Sequence, residues 1–114
     1  MLRRKQRERD ELLPGTLEML ILKTLSRAPM HGYAIAQSIQ QVSDDVLQIE
    51  EGSLYPALQR MQVKGWLTSE WSMTELNRKA RFYKLTSEGR QQLEAEMKKF
   101  DRITGAIWRV LENA

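Results

Sequence analysis

The sequence predicts a mainly α-helical fold with one small β-hairpin and a long C-terminal helix. Three observations lead there. Three segments before residue 65 carry apolar residues at helical spacing; two short runs with aromatic and β-branched residues follow, joined by a polar, basic connection; and residues 87–112 hold an apolar seam stepping by four and three. At 114 residues the chain is sized for one small domain. It divides into a basic N-terminal segment (1–12), a folded domain (13–86) and the C-terminal helix (87–114).

Thr16 to Arg27 (TLEMLILKTLSR) has apolar residues at 17, 20, 21 and 25, widened by 19 and 22, which predicts a helix with a broad buried face. Thr16 is placed to cap it after Pro14 and Gly15. Ala28-Pro29 ends it, because proline disfavours helical geometry in the residue before it. A second helix fits Gly32 to Val42, with Ile35, Ala36, Ile39 and Val42 inward. SDDVLQIEEG breaks the pattern, and Gly52-Ser53 reads as a turn and cap. From Leu54 to Lys64 the apolar positions are Leu54, Leu58 and Met61. Pro56 is tolerable in a first helical turn, where its missing N–H has no partner, and Gly65 is a natural stop. The opposite face then presents Tyr55, Gln59, Arg60, Gln62 and Lys64. Trp66 to Ser72 and Arg81 to Thr86 form the hairpin, with Trp66 and Trp71 as core or sheet-surface residues. Three helices and a hairpin in this order are the plan of a winged helix-turn-helix, whose third helix enters the DNA major groove while the hairpin, or wing, meets the backbone.

The charge distribution agrees with that plan. The net charge is only +3, but residues 75–84 (ELNRKARFYK) carry +3 on the wing, residues 1–12 carry +2, residues 43–51 carry −4, and residues 88–114 are neutral. A cationic run alone reads as a solvated face; on a wing it meets phosphate. Gln59 and Gln62 read as base or phosphate contacts, and Arg60 and Lys64 as phosphate contacts. Tyr33 and Tyr55 are placed to pack their rings and donate their hydroxyls to phosphate.

Other chemistries find little material. No cysteine is present, which removes disulfides, thiolate catalysis and Cys-based metal sites. A single histidine, His31, supplies neither a metal centre nor a Ser/His/Asp site, and reads as a structural hydrogen-bonding group ahead of the second helix. No phosphate-cradling glycine loop occurs, so neither an enzyme nor a cofactor is expected. No apolar run approaches the ~20 residues of a membrane span, and the opening MLRRKQRERDELL lacks the apolar stretch of a secretion signal. A soluble, cytoplasmic protein is expected.

In the C-terminal helix Leu93, Met97, Phe100, Thr104, Ile107 and Leu111 form a heptad seam, broadened by Ile103, Trp108 and Val110. Twenty-six helical residues span roughly 39 Å, longer than a small domain can cover. The expectation is a homodimer joined along this helix, with two recognition helices ~34 Å apart on a palindromic site. The alternative is a helix folded back on its own core. The N-terminal segment, with alternating signs from Arg7 to Glu11, is either a helix reinforcing the dimer or an arm along DNA.

LLPGTLEMLIL, MHGYAIA, EEGSLYPALQRM, GW and RFYKLTSEGRQQL resemble the PadR family of bacterial transcriptional regulators, from about Leu12 to the C-terminus. HGY followed some twenty residues later by GSLYPAL is a specific combination. The resemblance implies a dimeric winged-helix repressor, of the small subgroup with one C-terminal helix, that releases DNA on binding small molecules or under stress. It places Tyr33 near the DNA backbone, Ser53, Leu54, Tyr55 and Pro56 at the head of the recognition helix, and Arg78, Lys79 and Arg81 in the wing. Many members have a Gly- and Arg-rich wing; this one reads ELNRKAR, so whether Arg78 or Lys79 enters a minor groove or meets phosphate stays open. Some multidrug-sensing relatives sandwich flat aromatic ligands with a tryptophan of the C-terminal helix. Trp108 lies on the corresponding helix here and is the candidate ligand contact; the alternative is simple interface packing. The competing function is a winged-helix protein–protein interaction module without an operator.

Overall fold

The computed structural model describes residues 12, 13 and 15–113. The basic N-terminal segment, apart from Leu12, lies outside the described residues. The elements run α1 (Leu17–Leu25), β1 (Met30–His31), α2 (Gly32–Val42), α3 (Glu51–Val63), β2 (Leu67–Met73), β3 (Lys79–Leu85) and α4 (Ser87–Asn113). Apolar spacing on the first three helices converges on one core. Ile21, Leu22, Ile35, Leu54, Leu58, Met61 and Leu67 are almost wholly buried, and such side chains contribute about 1.5–3 kcal/mol each.

Several boundaries differ from the sequence expectation. The Thr16 hydroxyl donates to the Leu13 carbonyl (2.7 Å) and caps no helical N–H. Helix α3 begins at Glu51, so Gly52 and Ser53 lie within its first turn, and Pro56 falls in the second turn, unable to donate to the Gly52 carbonyl. Val42 points to solvent, 71% exposed, because α2 ends there in a Schellman turn. Asp45 N–H donates to the Gln40 carbonyl (2.8 Å) and Asp44 N–H to that of Gln41 (3.0 Å), with Asp44 at φ 58° in the place glycine usually takes.

The sheet has the antiparallel order β1-β3-β2. Sequence periodicity predicts only the hairpin; β1 adds a third strand, pairing Met30 with Tyr83 and His31 with Phe82. The hairpin register sets Leu67 opposite Leu85, Trp71 opposite Arg81 and Met73 opposite Lys79. Its connection, residues 74–78, needs no glycine. Asn77 takes the left-handed position at φ 60°, which asparagine tolerates better than most residues.

Helix α4 is fixed at its start. The Thr86 hydroxyl donates to the Gly65 and Trp66 carbonyls (2.7 and 3.0 Å) and accepts from Gly89 N–H (2.9 Å), tying the helix to the base of the wing. Gly89 is needed there, since a Cβ would collide with the Trp66 carbonyl. Leu93 is buried in the core of its own chain, which removes it from the expected dimer seam. The remaining apolar stripe begins at Met97.

Candidate nucleic-acid interface

Gly32 brings the second and third helices together. It is buried at the start of α2, where an ideal Cβ would stand 2.7 Å from Tyr55 Cε1 and 2.8 Å from the Tyr55 hydroxyl oxygen. Only a missing side chain lets the Tyr55 ring lie across α2. The HGY and GSLY motifs are thus two halves of one contact.

Around this contact, Tyr33, Tyr55, Trp71, Arg81 and Tyr83 join His31 and Gly32 in lining a concavity of about 400 Å³. His31 caps α2, its Nδ1 accepting from Ala34 N–H (3.4 Å), and packs edge-on against Phe82 with ring centroids 5.2 Å apart. Arg81 is oriented from two sides. Its Nε donates to Ser69 Oγ (2.9 Å), Ser69 Oγ donates to Gln62 Oε1 (3.1 Å), and the guanidinium stands 5.2 Å from the centroid of Trp71. This chain links α3 to both hairpin strands. Burial, then the neighbouring Glu51 carboxylate, then Tyr83 push the Tyr55 phenol above its ordinary value and keep it a neutral hydrogen-bond donor.

The other candidates distribute unevenly. At 100° per residue, Gly52, Pro56, Gln59 and Val63 form the outermost line of α3, all exposed. Arg78 and Lys79 are exposed at the wing. Ser53, Arg60 and Lys64 occupy the flank toward α1, apart from the concavity. Glu18 accepts from Arg60 Nε (3.3 Å), with Arg60 Nη2 at 3.2 Å and Lys64 Nζ at 3.9 Å, and Lys64 also lies 4.6 Å from the centroid of Trp66. Sequence spacing assigned Arg60 and Lys64 to the polar face of α3 but could not show Glu18 coming against it. It also left Ser69 without a role, gave Trp71 only a core or sheet-surface place and Gly32 only the start of a helix, because the strand register and helix packing that bring them to Arg81 and Tyr55 are set by tertiary contact.

On α4, Met97, Phe100, Ile103, Ile107, Trp108, Val110 and Leu111 are 36% to 63% exposed. Thr104 is partly buried, its hydroxyl donating to the Phe100 carbonyl (2.7 Å). Leu13, Met19, Phe100, Ile103 and Ile107 line an apolar groove of about 230 Å³ between the start of α1 and the middle of α4. Trp108 stands outside this groove. Among the described residues, no helix is long and apolar enough to cross a membrane.

The family model for transcriptional regulators of the PadR-like family matches residues 21–95, from within α1 to the early turns of α4. The chain belongs to this family. A PadR-family transcriptional regulator from Eggerthella lenta is 32% identical with a TM-score of 0.74, covering 88% of this chain and 85% of its own. A PadR-like transcriptional regulator from Bacillus cereus is 26% identical with a TM-score of 0.74, covering 88% and 95%. An uncharacterised 37.1 kDa protein of a Streptomyces fradiae transposon is 38% identical over 91 residues; the match takes in 80% of this chain and 25% of that protein. PadR-family regulators are DNA-binding proteins and not enzymes. This PadR-like chain is therefore a DNA-binding regulator with a winged-helix fold.

Proposed function

We propose that the protein is a homodimeric transcriptional repressor that binds a palindromic operator in the bacterial cytoplasm. The observation that carries this reading is the apolar stripe of α4, uncovered from Met97 to Leu111 in a single chain. A surface of this kind marks an interaction site. A second copy supplies the same stripe, and two-fold symmetry then presents two α3 helices and two wings to two half-sites. In this arrangement Gln59 reads a base edge, with Ser53 and Pro56 at the head of the helix. Tyr33 and Tyr55 donate to phosphate, and Arg78, Lys79 and Arg81 hold the backbone beside the groove. Arg60 and Lys64 serve first as partners of Glu18, and reach phosphate only by leaving it.

The test is a footprint and mobility shift on DNA upstream of the protein's own gene, with a salt titration. A symmetric footprint and a steep fall of log affinity with log salt are expected. A chain ending before Phe100 should be monomeric in sedimentation and bind the operator weakly. An undisturbed dimer, or a shift insensitive to salt, overturns the reading. The exposed Trp108 indole further supports release by a flat aromatic effector seated at the dimer interface. Quenching of Trp108 by planar aromatic compounds, with loss of the shift, tests it; compounds that quench without releasing DNA refute it.

A further inference from the structure

Arg81 differs from the two cations of α3 in having no acid to hold it. Arg60 and Lys64 share Glu18; Arg81 has no carboxylate partner among the described residues and is held by neutral groups. Trp71 stands directly across the sheet from it, and Ser69 lies two residues back along β2 on the same face. Arg81 Nε donates to Ser69 Oγ (2.9 Å), and the guanidinium stands 5.2 Å from the Trp71 centroid. One N–H group is thereby used, and those of both terminal nitrogens are left.

Chemistry fixes the direction of the relay that follows. A guanidinium only donates, so Ser69 Oγ accepts from Arg81 and turns its own proton to Gln62 Oε1 (3.1 Å). With its carbonyl oxygen engaged, the Gln62 side chain has its amide N–H pair left to offer. Ser69 thus leaves one side chain from α3 and one from β3 that present donors and no acceptor. A free glutamine reads adenine through both ends of its amide; this one has a single end available. Gln62 also lies about 60° round α3 from Gln59, on the flank toward the wing. A helix ~10–12 Å across fills a major groove ~12 Å wide, so its flanks meet the groove walls, which are phosphate.

We propose that Gln62 and Arg81 form a donor-only cradle for a single DNA phosphate at the junction of α3 and the wing, with Ser69 the positioning residue that orients both. The proposal rests on the reading of α3 and the hairpin as the DNA-facing surface. A guanidinium binds phosphate through short, directional, charge-assisted hydrogen bonds. The Ser69 bond and the Trp71 ring hold Arg81 in place before DNA arrives, so little side-chain freedom remains to be lost on binding. A phosphate held between helix and wing fixes the register in which α3 meets the bases.

Serine and alanine are both uncharged, so a change of salt slope on replacing Ser69 reports the placement of Arg81 and not the charge of the protein. Operator binding by the full-length protein is measured across a salt series for wild type, Ser69→Ala, Ser69→Thr, Gln62→Ala and Arg81→Ala. Each is also tested on operators carrying single methylphosphonates, which remove one phosphate charge at a time. Ser69→Ala should bind about tenfold more weakly, its slope reduced by about 0.9 per half-site like that of Arg81→Ala. Ser69→Thr keeps the hydroxyl and should restore both. Gln62→Ala should weaken binding with the slope unchanged. One methylphosphonate position per half-site should weaken wild type and have little effect on Ser69→Ala and Arg81→Ala. A wild-type slope in Ser69→Ala, with the slope lost in Arg81→Ala, overturns the positioning role and leaves the wing on DNA. Wild-type binding by Arg81→Ala overturns the wing reading itself. A Gln62→Ala protein that changes its preference for one base pair and keeps the full methylphosphonate response makes Gln62 a base reader and overturns the shared cradle. A Ser69→Ala defect that Ser69→Thr does not restore, accompanied by a lower denaturant midpoint, assigns the loss to the strand and likewise overturns the proposal.

Discussion

Replacing Gly32 with alanine tests whether the second and third helices present one surface. The new Cβ would lie 2.7 Å from Tyr55 Cε1 and 2.8 Å from the hydroxyl oxygen, so the ring must retreat by about 0.7 Å to reach an ordinary 3.4 Å contact. Tyr55 is 45% exposed and has room to move. The off-rotamer cost is about 0.5–1.5 kcal/mol, partly offset by the better helix propensity of alanine. Folding is therefore nearly preserved, while an O–H···O bond near 2.7 Å to a phosphate stretches to about 3.4 Å and is lost. A hydrogen bond to a charged group contributes about 1.5–3 kcal/mol. Taking the lower figure for a half-exposed tyrosine, operator affinity falls about tenfold. Tyr55→Phe should cost the same, and the double variant no more than either, a coupling of about 1.4 kcal/mol. Fluorescence anisotropy with labelled operator at fixed salt measures all four proteins. Wild-type affinity for Gly32→Ala, or an additive hundredfold loss in the double variant, refutes the shared surface.

Three further predictions concern stability and titration. Gly89→Ala meets the Trp66 carbonyl, which is backbone and yields poorly, and should lose about 1–3 kcal/mol; Gly52→Ala meets nothing within 4 Å and should gain up to about 1 kcal/mol, both read from denaturant midpoints. Asn77→Gly should leave the wing intact, whereas Asn77→Val, β-branched at φ 60°, should cost about 1–2 kcal/mol locally and accelerate amide exchange at the apex. The Tyr55 phenol titrates above its ordinary value of 10.0, so the folded state holds its proton after the unfolded state has released it. That stability is fully present below pH 10 and is lost as pH rises through the folded value; Tyr55→Phe should flatten this limb of the thermal unfolding curve.

The sequence was legible where a pattern is local and repeated. Helix α2 runs from Gly32 to Val42 as its spacing predicts, and Leu54, Leu58 and Met61 are the buried seam of α3. The hairpin and the 27-residue α4 follow equally from period and length. What escaped was set by tertiary contact. Two residues cannot show a period, so β1 appears only through Tyr83 and Phe82. Gly52-Ser53 resembles a turn in sequence, yet first-turn N–H groups need no helical partner and the helix absorbs both residues. Leu93 shares the heptad of Met97 and Phe100 but lies over its own core, so one periodic stripe divides between two environments. The candidate site divides in the same way. Residue type marked Tyr33, Tyr55 and Arg81, while the Gly32 gap and the Ser69–Gln62 tie that assemble them emerge only once helix and sheet are packed.

The anchoring of α4 makes it a lever. Thr86 and Gly89 fix its first turn to the base of the wing, and about 30 Å of helix extends beyond Leu93 to Asn113. A sideways shift of 3 Å at the free end, about the thickness of an aromatic ring, turns the helix by roughly 5° about that fulcrum, ~36 Å away at Gly89. In the proposed dimer, half-site spacing and wing angle are therefore a single mechanical coordinate. Whatever pries the two C-terminal helices apart also tilts both hairpins at the DNA.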